Sequence, residues 1–251
     1  MTRPPTSNTA APVATKLIVA ALVKRYGAVP VLQGIDLALE RGRVTAILGP
    51  NGAGKTTLIK AILGLTSPES GTILIDGRPI GDSPAYRASI GYMPQRATFP
   101  ENLTAHDLIA LLSDMRGRAA TLDRALVDAF CLGADLTKPL RTLSGGTRQK
   151  VNAVLAFLFS PDLLILDEPT AGLDPIASSI LKDKVLEERG RGRTIVLTSH
   201  VINDLEELAD DVVFLLDGVV RFAGSVHELK WRTRQLSLER AVAQLMREEA
   251  A

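Results

Sequence analysis

Eight consecutive residues, Gly49, Pro50, Asn51, Gly52, Ala53, Gly54, Lys55 and Thr56, carry the densest chemistry in the chain, with Thr57 following them. The glycines leave the backbone bare, so successive N–H groups can turn inward around an anion. The spacing fits the phosphate-binding pattern G-x-x-x-x-G-K-[ST]. In that pattern the ammonium meets the β- and γ-phosphates of a nucleotide and the hydroxyl ligates Mg²⁺. Lys55 and Thr56 take those positions. The flanks fit too: Arg43 to Leu48 reads as a strand entering the loop and Thr57 to Leu63 as a helix leaving it. A helix start at that point adds positive potential toward a phosphate.

A second constellation is Leu163-Leu164-Ile165-Leu166-Asp167-Glu168, four apolar residues ending in two carboxylates. On its own such a strand end is equally an ordinary solvated terminus. Beside a phosphate loop it is specific, because open α/β sheets bind ligands at the carboxyl ends of their strands. Asp167 is then the Mg²⁺ ligand and Glu168 the base, or orienter, for an attacking water.

The elements that must position these groups read as α/β. Ile35 to Leu39 alternates like a half-exposed strand, whereas Leu163 to Leu166 and Thr194 to Leu197 are nearly all apolar, as strands covered on both faces are. Asp76-Gly77 and Asp217-Gly218 each sit between two strand-like runs and predict tight hairpins. From about Thr104 to Phe159 the apolar spacing turns helical (Leu108, Leu111, Leu112; Leu122, Leu126, Ala129). Residues 1–15 read as a floppy tail rather than a signal peptide, since no apolar stretch follows a basic start. The longest apolar runs, such as Val154 to Phe159, are too short to cross a bilayer. Ser237 to Glu249 reads as an amphipathic helix packed on its own domain through Leu238, Val242 and Leu245.

Composition narrows the partners. In 251 residues, 29 basic and 28 acidic side chains leave a net charge of +1, and aromatics make up 4%. Neither a polyanion footprint nor a base-stacking surface is encoded, so nucleic acid is not an expected partner. The only cysteine, Cys131, lies in the apolar run Ala129-Phe130-Cys131-Leu132 and reads as a buried small hydrophobe.

Leu143-Ser144-Gly145-Gly146 decides the resemblance. It is similar to the signature motif of ABC transporter ATP-binding subunits, which other phosphate-loop ATPases lack. The resemblance runs from about Leu17 to Lys230, with every motif in family order. Tyr26 matches the aromatic that stacks on adenine. Gln95 in Tyr92-Met93-Pro94-Gln95 matches the glutamine near Mg²⁺ and the lytic water, and Ala171-Gly172-Leu173-Asp174 matches the D-loop. His200, after Thr198-Ser199, matches the switch histidine at the γ-phosphate; His106 and His227 match nothing. Ser144, Gly145, Gly146 and Asp174 count among the nucleotide-binding positions, because in the family the signature completes the ATP site of the opposite subunit. The physics agrees: Ser144 is a natural N-cap for a helix running through Arg148 to Phe159, and bare glycines let a phosphate approach the helix end. One departure is Thr147, where the family usually has Gln. Thr is too short to close a capping box, at a cost of about 1 kcal/mol of local order or less.

The resemblance implies a P-loop NTPase core with a mostly parallel sheet, an N-terminal antiparallel β subdomain and an inserted α-helical lobe. Its nucleotide-binding domain spans 16–230, with the lobe at about 98–160 and a C-terminal helix at 231–251. It implies ATP and Mg²⁺ as ligands and a dimer of ATPase subunits, with a homodimer having two competent sites. It also implies a separate transmembrane permease, and hence a cytoplasmic chain lying on the inner face of the membrane. The Gln95 to Thr104 connector, flanked by Pro94 and Pro100, is expected to be ordered but not helical. In the family it lines the groove for a short helix of the membrane subunit. Phe99 and Leu103 are the expected floor of that groove, with Arg96 and Glu101 on its rim. Glu168 to Pro175 is similar to exporters whose ATPase is a separate chain. More narrowly, Leu143 to Ala153 with Ser178 to Lys184 resembles ATPase subunits encoded with nitrous oxide reductase, which serve assembly of its copper sites. The alternative from another class is a single-domain ABC ATPase without transport, of cluster-assembly or cell-division type. A membrane protein that co-purifies separates the two.

Overall fold

The computed structural model describes residues 15–81, 84–117 and 122–249. The expected tail lies outside them, apart from Thr15, which opens the first strand instead. Strands β1 (Thr15–Tyr26), β2 (Val29–Glu40), β4 (Ser70–Ile75) and β5 (Arg78–Pro79) form an antiparallel sheet in the order β2-β1-β4-β5. The alternation of β2 is realised, with Ile35, Leu37 and Leu39 buried and Asp36 and Ala38 exposed.

A six-stranded sheet follows the order β10-β9-β3-β8-β7-β6. Its strands are β3 (Val44–Leu48), β6 (Ile90–Met93), β7 (Leu163–Asp167), β8 (Thr194–Thr198), β9 (Asp211–Leu216) and β10 (Val219–Ser225). All of them run parallel except the antiparallel edge strand β10. Every residue of β3, β7 and β8 is buried, because both faces of this sheet are covered. The period of two sorts them into two cores. Leu164, Leu166, Ile195 and Leu197 join the helices on one face. Leu163, Ile165 and Val196 join α1 (Lys55–Ile62) and the antiparallel sheet on the other. Both Asp-Gly turns close hairpins with positive φ at both positions, 54° and 73° at Asp76-Gly77 and 48° and 74° at Asp217-Gly218.

Between β6 and β7 lie α2 (Ala105–Arg116), α3 (Ala125–Ala129) and α4 (Gly145–Phe157). This stretch is less helical than its spacing suggests, for α3 makes little more than a turn. Leu108 and Ile109 carry the buried stripe of α2 while Leu111 faces out, and Phe130 rather than Ala129 fills the core after α3. Cys131 also departs from expectation: it is exposed. The chain reverses there at φ 54°, with the Cys131 N–H bonded to Asp128 O at 3.0 Å, so Phe130 and Leu132 take the buried positions on either side. Beyond β7 come α5 (Pro175–Gly190), α6 (Ile202–Leu208), α7 (Val226–Thr233) and α8 (Leu238–Glu249). Leu238, Ala241, Val242 and Leu245 of α8 are buried against α6 and α7. Among the described residues, no helix is long and apolar enough to cross a membrane.

Candidate functional site

The phosphate loop joins β3 to α1 at the carboxyl edge of the parallel sheet. Gly49 sits at φ 150°, and a Cβ there would stand 2.0 Å from the Leu215 carbonyl oxygen. The loop is therefore pressed onto β9, and only glycine fits. Lys55 folds back over it, its Nζ donating to the carbonyls of Gly49 at 2.6 Å and Pro50 at 3.0 Å. Burial holds the Lys55 ammonium below its ordinary pKa, while the charges of Glu168 and Asp167 pull the other way. The lysine thus faces both carboxylates of the second constellation.

A cavity of about 560 Å³ opens above the loop. Asn51, Gly52, Gly54, Lys55, Thr56 and Thr57 line it, together with Tyr26, Gln95, Asp167, Glu168 and His200. Residues spread from 26 to 200 thus converge on one space, and Tyr26 is half exposed there instead of being core. Gly49, Pro50 and Ala53 shape the loop without lining the cavity; Ala53 is buried beneath it. Val31 lines it too, an apolar wall that nothing in the sequence singled out.

Asp167 ends β7 and is 7% exposed, and Glu168 breaks the strand at φ 51°. The Glu168 N–H bonds the carbonyl and the hydroxyl of Thr198, both at 3.1 Å. That hydroxyl in turn donates to Asp167 Oδ1 at 2.6 Å. Thr198 joins the site only through its place opposite Asp167 in the β7–β8 register, a pairing that no spacing in the sequence marks. Two residues on, His200 Nε2 lies 2.8 Å from Glu168 Oε1. The Ser199 hydroxyl, accepting the Val201 N–H at 2.9 Å, holds the turn that carries His200.

Thr56 and Asp167 bring hard oxygens of the kind Mg²⁺ takes to the same cavity. Among the described residues no group of three histidine, cysteine or acidic side chains could hold a metal alone. A cation here would need further oxygens from the nucleotide and water, the usual mode for Mg²⁺.

Ser144, Gly145, Gly146 and Asp174 do not line this cavity. They form a separate unit. Ser144 caps α4, accepting the Thr147 N–H at 3.1 Å. The Thr147 hydroxyl lies 2.8 Å from the Ser144 hydroxyl, a contact short of a capping box. Gly145 faces open space, whereas a Cβ on Gly146 would meet the Gly172 carbonyl oxygen at 3.3 Å. Lys150 of α4 pairs with Asp174 at 3.0 Å. Asp174 also caps α5, accepting the Ala177 N–H at 2.8 Å ahead of Pro175 at the first helical position. The Ala177 N–H, and then Lys150, hold the Asp174 carboxyl below its usual range. The start of α4 and the turn from Ala171 to Asp174 are thereby tied together in the same chain.

A second cavity, about 410 Å³, is lined by Gln95, Arg96, Ala97, Thr98, Phe99, Glu101, Leu140, Gly145, Arg148 and Gln149. Gln95 therefore borders both spaces. Its connector is not helical, and Asn152 of α4 anchors it by donating to the Pro94 carbonyl at 2.8 Å. Leu103 is not in this lining. It packs on the core beneath, and Leu140 stands beside Phe99 in its place.

The family model described as "ABC transporter" matches residues 32–171. The chain is 34% identical to the Nod factor export ATP-binding protein I of Ralstonia nicotianae, over 85% of this chain and 68% of that protein. It is also 34% identical to the lantibiotic transport ATP-binding protein SrtF of Streptococcus pyogenes, over 79% of this chain and 86% of that one. A solved ATP-binding subunit of an ABC transporter superposes with a TM-score of 0.87 at 34% identity, covering 92% of this chain and 100% of the other.

Proposed function

The chain belongs to the ABC transporter family as an ATP-binding ATPase subunit, and from that premise we propose that two copies hydrolyse ATP head to tail beneath a separate membrane subunit and power export. One observation carries the reading. The cavity gathers the phosphate loop, both carboxylates, Gln95 and His200, yet Ser144, Gly145 and Gly146 at the start of α4 do not line it. A second copy would bring Ser144, Gly145 and Gly146 over the first copy's phosphates, with Asp174 behind them.

In this reading Tyr26 stacks on adenine, and the Gly49 to Thr57 backbone and Lys55 hold the phosphates. Thr56, Asp167 and Gln95 would hold Mg²⁺, which when bound would neutralise charge on the phosphate oxygens. Glu168 orients the attacking water and takes its proton at a carboxylate oxygen. His200 holds Glu168 from the other side and reaches the γ-phosphate. Gln95, shared between the two cavities, relays the state of the site to the second cavity. There the membrane subunit's helix would dock on Phe99 and Leu140, between Arg96 and Glu101. Helices α2 to α4, inside the 98–160 stretch, are the lobe that moves with it. The chain then lies on the cytoplasmic face of the membrane.

Export is the direction named for the Ralstonia relative, and the Glu168 to Pro175 stretch is similar to exporters with separate ATPase chains. The narrower assignment, to assembly of nitrous oxide reductase copper sites, rests on Leu143 to Ala153 and Ser178 to Lys184 alone. Affinity purification of the full chain from membranes tests the whole reading. A multi-span protein should co-purify, and ATP should be hydrolysed by the complex. Steady ATPase activity with no membrane partner would favour the non-transport alternative.

A further inference from the structure

We infer that Thr198 is a positioning residue for ATP hydrolysis, with one hydroxyl that sets both Asp167 and Glu168. The inference rests on the roles given to those two residues above. Thr198 closes β8 opposite Asp167 in the parallel register and is 1% exposed. A carboxylate only accepts, so at 2.6 Å from Asp167 Oδ1 the hydroxyl proton must point to that oxygen. The proton's direction fixes the lone pairs, one of which takes the Glu168 N–H at 3.1 Å. The same N–H reaches the Thr198 carbonyl at 3.1 Å, making a three-centre bond.

Both consequences bear on chemistry. With Oδ1 engaged, Asp167 cannot rotate freely and would offer a cation its other oxygen. Glu168 stands at φ 51°, a region that residues other than glycine enter at a cost. The three-centre bond holds it there, so that its side chain meets His200 instead of continuing the strand. Strand β8 thus delivers a hydroxyl to the backbone of Glu168 and, two residues later, an imidazole to its side chain.

The test compares full chains carrying Thr198→Val, Thr198→Ser and Glu168→Gln. Valine keeps the branched shape and loses the hydroxyl; serine keeps the hydroxyl. Thr198→Val should lower kcat by about tenfold to a hundredfold, the usual cost of losing an outer partner of a metal ligand, with KM for ATP little changed. The Mg²⁺ concentration that tightens binding of a fluorescent ATP analogue should rise in parallel, while binding without metal stays the same. Thr198→Ser should restore both. If valine does not fold, Thr198→Ala against Thr198→Ser makes the same comparison. Equal kcat and equal Mg²⁺ titrations for valine and serine would overturn the inference. So would equal loss in both, since packing and not the hydroxyl would then be at work. Wild-type turnover in Glu168→Gln would instead sink the underlying site assignment. An inactive Glu168→Gln beside a fully active Thr198→Val would sink the Thr198 role alone.

Discussion

His200 Nε2 lies 2.8 Å from Glu168 Oε1, and the two side chains come from the ends of adjacent parallel strands. The contact sets the imidazole against the acid at the edge of the sheet. The pair is a consequence of register: Thr198 faces Asp167, so one residue past β7 and two past β8 end on the same side of the sheet edge.

Glu168→Gln removes the base and preserves the shape. It should bind Mg²⁺–ATP normally and release phosphate at least ~10²-fold more slowly, the low end for general-base loss. Nucleotide held but not cleaved should keep two copies together. Size-exclusion chromatography should therefore show an ATP-dependent dimer. Phosphate release at the wild-type rate would remove Glu168 from this role.

Lys55→Ala and Ser144→Arg separate the two halves of the proposed composite site. The first removes the ammonium that holds the Gly49 and Pro50 carbonyls, so nucleotide binding itself should weaken. The second removes the α4 cap, worth about 1 kcal/mol, and puts bulk beside Gly145, which otherwise faces open space. Each variant alone should be inactive. Mixed, one composite site carries both lesions and the other carries neither, so activity should return as the second chain is titrated in. No rescue at any ratio would count against head-to-tail pairing.

Much of this was legible because local rules and global fold agree. The phosphate loop, the Asp-Gly hairpins and the mostly apolar strands β3, β7 and β8 each announce their conformation. Cys131 was misread because an apolar run does not reveal where the chain reverses: one positive φ turned the middle residue outward. Thr198 was missed for a different reason. Its role exists only through the register of two strands far apart in sequence, and no spacing rule records a cross-strand neighbour. The Lys150–Asp174 pair is hidden in the same way, since it joins two helices through their packing.

Lys184→Met tests the ion-pair cluster at the base of α5. Lys184 is 4% exposed and pairs with Asp123 at 2.6 Å and Glu188 at 2.9 Å. Removing it strands the buried Glu188 and the partly buried Asp123, at a cost of about 3–5 kcal/mol. Arg191, 2.7 Å from Glu188, should keep the loss near the lower end. Burial pushes the Asp123 carboxyl up, but Lys184, with the Ala125 N–H and Arg191, outweighs it and the net value lies below the usual aspartate range. A depressed folded pKa gives stability that is present above the unfolded value and lost as pH falls through the folded one. Denaturant melts should therefore show the gap between wild type and variant at neutral pH and its closure in acid. A gap independent of pH would point to lost packing of the lysine stem.

The second cavity makes the remaining prediction, because its residues divide by what they do for the chain alone. Glu101 and Arg96 are exposed on its rim. Glu101→Arg should leave the isolated chain's stability within about 0.5 kcal/mol, as surface changes do. Phe99 is half-buried, packing on the core while lining the cavity beside Leu140. Phe99→Ala should cost about 1–2 kcal/mol, part of what full burial of a phenylalanine is worth. Neither residue touches the nucleotide cavity, so basal ATPase activity should stay near wild type in both. Capture of the proposed membrane subunit should fall in both, or hydrolysis should continue without transport. Charge reversal at Glu101 is the cleaner probe, since it alters the rim and leaves the floor intact. If Glu101→Arg captures the membrane subunit as well as wild type does, and Phe99→Ala costs ~3 kcal/mol or more as a core phenylalanine would, Phe99 is core and the docking surface lies elsewhere.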